Sequence, residues 1–120
     1  LRGAQDLIKI CKNKIAPDPF TLSSDRSFSW EEVECLGSCA NAPMVQIGPD
    51  TFEDLSPSSF EAILDGYGAG EPPLSGSQIG RISSCPEGGP TTLKDPTLYD
   101  GSRLGKWQKR LEHDKNSSSK

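Results

Sequence analysis

Two cysteines separated by three residues stand in the stretch CLGSCANAPM, residues 35–44. A thiolate is a soft ligand suited to zinc or to iron–sulfur clusters, so Cys35 and Cys39 are the first residues to weigh for chemistry. Gly37 and Ala40 beside them are small enough to let backbone approach. Backbone N–H groups in such a loop can point at sulfur and offset the negative charge of a bound metal group. Two thiolates do not close a four-ligand site. The bland alternative is that both are small buried apolar residues, as free cysteines often are. Their spacing in a glycine-containing loop favours ligation, whereas a doubled C-x2-C would point more strongly to zinc.

The other candidates carry less. Cys11 falls on the apolar face of a helical stretch and reads as a core residue. Cys85 lies beside Pro86 in irregular sequence; an odd thiol, a distant ligand and a solvent-facing side chain all stay open for it. His113 stands alone near the end of the chain, where no metal role is expected. There is no Ser/His/Asp or Cys/His constellation, no phosphate-cradling glycine loop after a strand and no Walker pattern. Hydrolase and nucleotide-binding readings have no residues to stand on. Four cysteines in 120 residues also suit a disulfide scaffold poorly, since such scaffolds carry more cysteines in shorter chains.

The elements that must position the thiols can be read on both sides of them. Residues 3–15 predict a helix, with Ala4, Leu7, Ile8, Cys11 and Ile15 on one face at intervals of three and four. Lys12 and Lys14 suit its C-terminus, and Pro17 and Pro19 stop it. Residues 20–26 read as a connection rich in serine and aspartate. Residues 28–34 are assigned to a strand, although Phe28, Trp30 and Val33 do not alternate cleanly and Ser29 with Glu31 and Glu32 is also consistent with a short capped helix. Residues 44–47 and 51–54 predict two strands joined by the turn Gly48-Pro49-Asp50, a hairpin. Ser56 and Pro57 then open a second helix as N-cap and first helical residue. Phe60, Ile63, Leu64 and Tyr67 line its apolar face, and Gly66 or Gly68 ends it.

After Tyr67 the character changes. Residues 68–98 hold clustered Gly, Pro, Ser and Thr without a sustained period, 103–113 show a weak amphipathic pattern, and the ending NSSSK is expected to fray. Burying one apolar side chain contributes about 1.5–3 kcal/mol, while fixing each backbone residue costs about 1–2 kcal/mol. Scattered anchors such as Leu74, Ile79, Ile82, Leu93 and Trp107 therefore do not order residues 68–120 alone. A large preformed partner surface is expected to do so, with a protease-sensitive boundary after Tyr67 in the isolated chain.

The bulk numbers agree with a small domain plus a dependent segment. Hydrophobic residues are 32% of the chain, against 12 glycines and 10 prolines. A net charge of −4 leaves no basic stripe for phosphates, so nucleic acid is not an expected partner. No run approaches the length of a membrane span, and no signal or transit peptide is visible. A start at Leu1 rather than Met suggests a processed, cleaved or incompletely represented N-terminus.

The runs VECLGSCANAPMVQI and TFEDLSPSSFEAIL resemble the 24-kDa, thioredoxin-like subunits of respiratory complex I, NADH:ubiquinone oxidoreductase. The resemblance covers residues 1–67, and its most specific part is the stretch from Cys35 to Met44. The later GRISSCPEGGPTTL is similar to an extension found in mitochondrial and related bacterial members. The resemblance implies an α/β, thioredoxin-like [2Fe–2S] ferredoxin domain over 1–67, incomplete at its N-terminus, with an extended, mostly irregular tail over 68–120. It aligns Cys35 and Cys39 with two ligands of the [2Fe–2S] cluster. Thioredoxin-like folds are also similar in placing a cis proline beside the redox site, and Pro43 holds that position.

This sequence departs from the family at its start. The family's other two ligand cysteines lie just upstream of a Leu-Arg-Gly that opens the first helix, and this chain begins at Leu1-Arg2-Gly3. A fragment of a longer chain, a subunit split into two polypeptides, and a subunit without its cluster are the three expectations; the first two keep the cluster and are favoured. The resemblance then implies one-electron transfer in the NADH-dehydrogenase module of complex I. FMN and NADH would sit on a neighbouring, flavin-bearing subunit over which the tail runs, and a separate polypeptide would carry the missing half. The implied location is the matrix side of the mitochondrial inner membrane, with the cytoplasmic face of a bacterial plasma membrane as the alternative. Two other readings stand beside this one: a cluster-free structural subunit, and a stand-alone ferredoxin-like or zinc-binding module.

Overall fold

The computed structural model describes residues 3–98 of the chain. Their regular elements are two helices and a three-stranded sheet, in the order helix α1 (Ala4–Lys14), strand β1 (Val45–Ile47), strand β2 (Asp50–Glu53), helix α2 (Pro57–Gly68) and strand β3 (Gly76–Ser77). The chain divides into two compact units between Gly88 and Gly89. In the second, the described residues form a short 3-10 turn, Pro96–Leu98, where Asp95 accepts from the backbone N–H and hydroxyl of Thr97.

The first unit is built around Phe52, which is fully buried. β1 and β2 pair antiparallel with Val45 opposite Phe52, so both side chains leave the same face of the hairpin. α1 and α2 cover that face. Leu7, Ile10 and Cys11 from α1 meet Phe60, Ile63 and Leu64 from α2 around Phe52 and Leu55. The ring of Tyr67 meets Phe52 edge-on at a centroid distance of 6.1 Å. The seam of α1 thus runs through Ile10, with Ile8 only half-buried. Lys14 and Asp65 tie the ends of the two helices at 2.9 Å.

α2 starts where its capping residues require. Ser56 Oγ accepts from the Ser59 N–H and the Ser59 hydroxyl accepts from the Ser56 N–H, a reciprocal box with Pro57 in the first turn. Gly66 near its end serves a close crossing: the Glu71 N–H donates to the Gly66 carbonyl at 2.8 Å, and a Cβ on Gly66 would lie 2.9 Å from the Glu71 carbonyl oxygen.

The strand assigned to residues 28–34 is not formed. Phe28 and Trp30 spend their carbonyls on the preceding connection instead, accepting from the Ser23 and Phe20 N–H groups at 2.8 Å. The Trp30 indole N–H donates to the Ala16 carbonyl at 2.8 Å and closes this loop on the end of α1. The third strand is Gly76–Ser77, which pairs parallel with β2 in the register Phe52 to Gly76 and Glu53 to Ser77. The stretch 103–113 and His113 lie outside the described residues. Among the described residues, no helix is long and apolar enough to cross a membrane.

Candidate functional site

Cys35 and Cys39 are brought together at the surface. Their sulfurs are 3.3 Å apart, both residues are exposed, and no disulfide joins them. Gly37 turns the loop between them with φ near +88°, a left-handed conformation that glycine adopts without strain. That turn aims the Gly37 N–H at Cys35 Sγ, 3.4 Å away. The Gly37 amide, with the Cys39 thiol second, holds the Cys35 thiol below its ordinary pKa. Cys39 moves the other way, raised chiefly by its hydrogen bond to Cys35 and the charge that develops there. Ionisation of one thiol therefore opposes ionisation of the other.

The backbone beyond Cys39 is held from below. Residues Cys39–Asn41 form a 3-10 turn, and the Ala42–Pro43 peptide that follows is cis, as the position of Pro43 predicts. The Asp54 N–H donates to the Asn41 carbonyl at 2.7 Å, and the Leu55 N–H to the Pro43 carbonyl at 3.0 Å. The end of β2 therefore fixes the turn. Gly3, at the start of α1, packs against Pro43, since a Cβ there would lie 3.4 Å from the proline ring.

Side chains add a second tie that the sequence reading missed. Ser38 and Asn41, on either side of Cys39, both donate to the Glu53 carboxylate, at 2.9 and 2.8 Å. Asn41 is buried and also donates to the Ser83 carbonyl at 2.8 Å. The one clue in the sequence is a lone asparagine among small residues, followed by two acids, Glu53 and Asp54, next to the apolar Phe52. Nothing in that pattern names the contact.

The remaining thiols are elsewhere. Cys11 is buried in the α1 seam, as its place in the helical pattern predicts, and burial raises its pKa. Cys85 is half-buried in a turn whose N–H donates to the Ile82 carbonyl. Among the described residues, no group of three or more His, Cys, Asp or Glu side chains is placed to hold a metal ion.

The donor set of Cys35 and Cys39 fits half of a [2Fe–2S] cluster. Two thiolates about 2.3 Å from one tetrahedral metal ion lie about 3.8 Å apart, so the observed 3.3 Å needs only a small opening of the pair. Both sulfurs are open to a group arriving from outside. Two thiols are half of the four ligands such a cluster needs.

Comparison with known proteins agrees with this chemistry. The model of the thioredoxin-like [2Fe-2S] ferredoxin family matches residues 1–68. A subunit of the NADH-quinone oxidoreductase of Rhizobium meliloti (strain 1021) is 58% identical over 98 residues, covering 80% of this chain and 36% of that protein. The corresponding NADH-quinone oxidoreductase subunit of Rickettsia bellii (strain RML369-C) is 49% identical over 65 residues, covering 54% of this chain and 39% of its own length. The chain thus spans well under half the length of these curated relatives.

Proposed function

Because the chain belongs to the thioredoxin-like [2Fe-2S] ferredoxin family, we propose that it serves electron transfer in NADH-quinone oxidoreductase, with Cys35 and Cys39 ligating one iron of a [2Fe–2S] cluster. The paired, exposed sulfurs 3.3 Å apart carry this reading. When bound, such a cluster supplies one-electron chemistry. The chain's own residues present two thiolates, and the Gly37 N–H stabilises negative charge on the Cys35 sulfur. The cluster's other two thiolates come from outside the described residues.

FMN and NADH belong to a neighbouring subunit in this reading, and the chain holds no hydride site of its own. Its place is the peripheral arm of the complex, at the matrix face of a mitochondrial inner membrane or the cytoplasmic face of a bacterial one. The later part of the chain docks on partner subunits, the flavin-bearing one foremost. Support comes from Leu74 and Ile82, which are 90% and 70% exposed and leave most of their apolar surface uncovered.

The test is anaerobic isolation of the native assembly containing this chain, followed by iron and sulfide assay and electron paramagnetic resonance after reduction. Cys35→Ser and Cys39→Ser should each abolish or shift one [2Fe–2S] signal, while Cys85→Ser leaves it in place. An unchanged signal in both ligand variants would sink the assignment. A cluster-free structural subunit is the second reading, favoured by the finding that the described residues gather two ligand thiols and no third. It requires the signal to be absent from the unsubstituted assembly as well.

A further inference from the structure

Glu53, the last residue of β2, and Asp54 just after it are consecutive carboxylates that face different tasks. Glu53 takes the Ser38 hydroxyl and the Asn41 amide, the groups that flank Cys39. Asp54 takes the Arg81 guanidinium through a fork of short contacts, Nη2 to Oδ1 at 2.9 Å and Nε to Oδ2 at 2.9 Å. This ion pair is largely out of solvent, with the Arg81 and Asp54 side chains 16% and 6% exposed. Such a fork is directional and fixes orientation as well as proximity. Arg81 also donates to the Cys85 carbonyl at 2.9 Å, so it clamps its own segment as it grips β2.

Residues 76–85 thereby form a strap across the end of β2. Gly76 and Ser77 pair with the strand, the Gln78 N–H donates to the Glu53 carbonyl at 3.0 Å, and the Ser77 hydroxyl donates to Asp54 at 2.6 Å. At its far end the Ser83 carbonyl receives Asn41, the residue that closes the thiol turn. The strap adds little to the apolar core: Ile79 and Ile82 are 48% and 70% exposed. Its ties are polar, and they converge on the turn that carries Cys39. That turn has two backbone bonds of its own, from the Asn41 N–H to the Ser38 carbonyl at 3.0 Å and from the Ala42 N–H to the Cys39 carbonyl at a longer 3.5 Å. The strap also lies beyond residues 1–68, the part that the family model matches.

We propose that Glu53 and Asn41, braced by the Arg81 strap, are positioning residues that hold Cys39 at ligating distance from Cys35. The inference rests on the paired-ligand reading above. Supporting groups around metal ligands change affinity by about 10–100-fold when lost, which sets the size of the effect.

The probe is phenylarsine oxide, a trivalent arsenical that bridges two nearby thiols: two As–S bonds form, and the arsenic-bound oxygen leaves with both thiol protons as water. Titrating it into the reduced full chain in a Cys85→Ser background measures how well Cys35 and Cys39 are pre-set, with no cluster present. Glu53→Gln turns one carboxylate oxygen into an amide that faces a donor, yet preserves volume; Arg81→Ala releases the strap. Each should weaken arsenical binding about tenfold or more while far-UV circular dichroism keeps its helical signal, and Arg81→Lys should recover part of the loss. Equal binding by the parent and Glu53→Gln overturns the proposal, as does a loss that only follows the unfolded fraction. If Arg81→Ala does not fold, Glu53→Gln decides. A parent that binds no arsenical overturns the paired-ligand reading and this inference with it, an outcome distinct from equal binding.

Discussion

Cys11 and the Cys35–Cys39 pair are the same side chain in opposite settings, and their chemistry should diverge accordingly. Cys11 packs in the α1 seam, where desolvation disfavours the thiolate and raises its pKa. In the unfolded chain that thiol ionises near pH 8.5. A group with a raised folded pKa contributes its stability in full below the unfolded value and loses it as pH climbs through the folded one. Urea unfolding of the full chain should therefore show stability falling above about pH 8.5, and Cys11→Ala should flatten that alkaline slope while lowering stability at pH 7. An unchanged slope would mean that Cys11 is not the group responsible. At neutral pH, brief iodoacetamide treatment should label Cys35 first and Cys39 next and spare Cys11, as read by peptide mass mapping. Exposure and the Gly37 amide favour Cys35, whereas Cys11 is 8% exposed.

The elements hold together by devices of unequal visibility. Ser56 caps α2 through a reciprocal hydrogen-bond pair, so Ser56→Ala should cost about 1 kcal/mol in urea unfolding. Asp54→Asn should cost more, because it leaves the partly buried Arg81 guanidinium without its counter-charge. Should the two losses prove equal, the ion pair is acting as an exposed one. Helix α2 was legible in the sequence because its N-cap, its proline and its apolar period all agree, and the hairpin because the turn residues Gly48-Pro49-Asp50 separate the stretch 44–47 from a second stretch around Phe52. The segment 28–34 was not, since Phe28 and Trp30 bond back into a loop rather than to a strand. Strand β3 left no trace either: a Gly-Ser pair has no period, and its partner Phe52 is remote in the chain. The thiol pair was legible from residue type and spacing. The Ser38–Glu53–Asn41 tie was not, because a polar contact between distant segments has no periodic signature.

At the scale of the molecule, the question is where the self-supporting part of the chain stops. Among the described residues, apolar burial ends with α2, since those after Tyr67 add no member to the core. Yet the first compact unit continues to Gly88, and what extends it is polar. Parallel pairing at Gly76–Ser77, the Arg81–Asp54 fork and the Ser83–Asn41 bond hold those residues to β2 and the thiol turn. A protease must draw an extended stretch of chain into its cleft, so cleavage reports local opening. Trypsin offers a comparison inside one chain: Arg81 lies within the strap, and Lys94 lies in the second unit with its side chain exposed. Limited trypsin digestion of the full isolated chain should cut after Lys94 well before Arg81, and Asp54→Asn should make the two rates converge by freeing the strap. Cleavage at Arg81 as fast as at Lys94 in the unsubstituted chain would show that residues 76–85 open freely, leaving the turn that carries Cys39 without its brace from the strap.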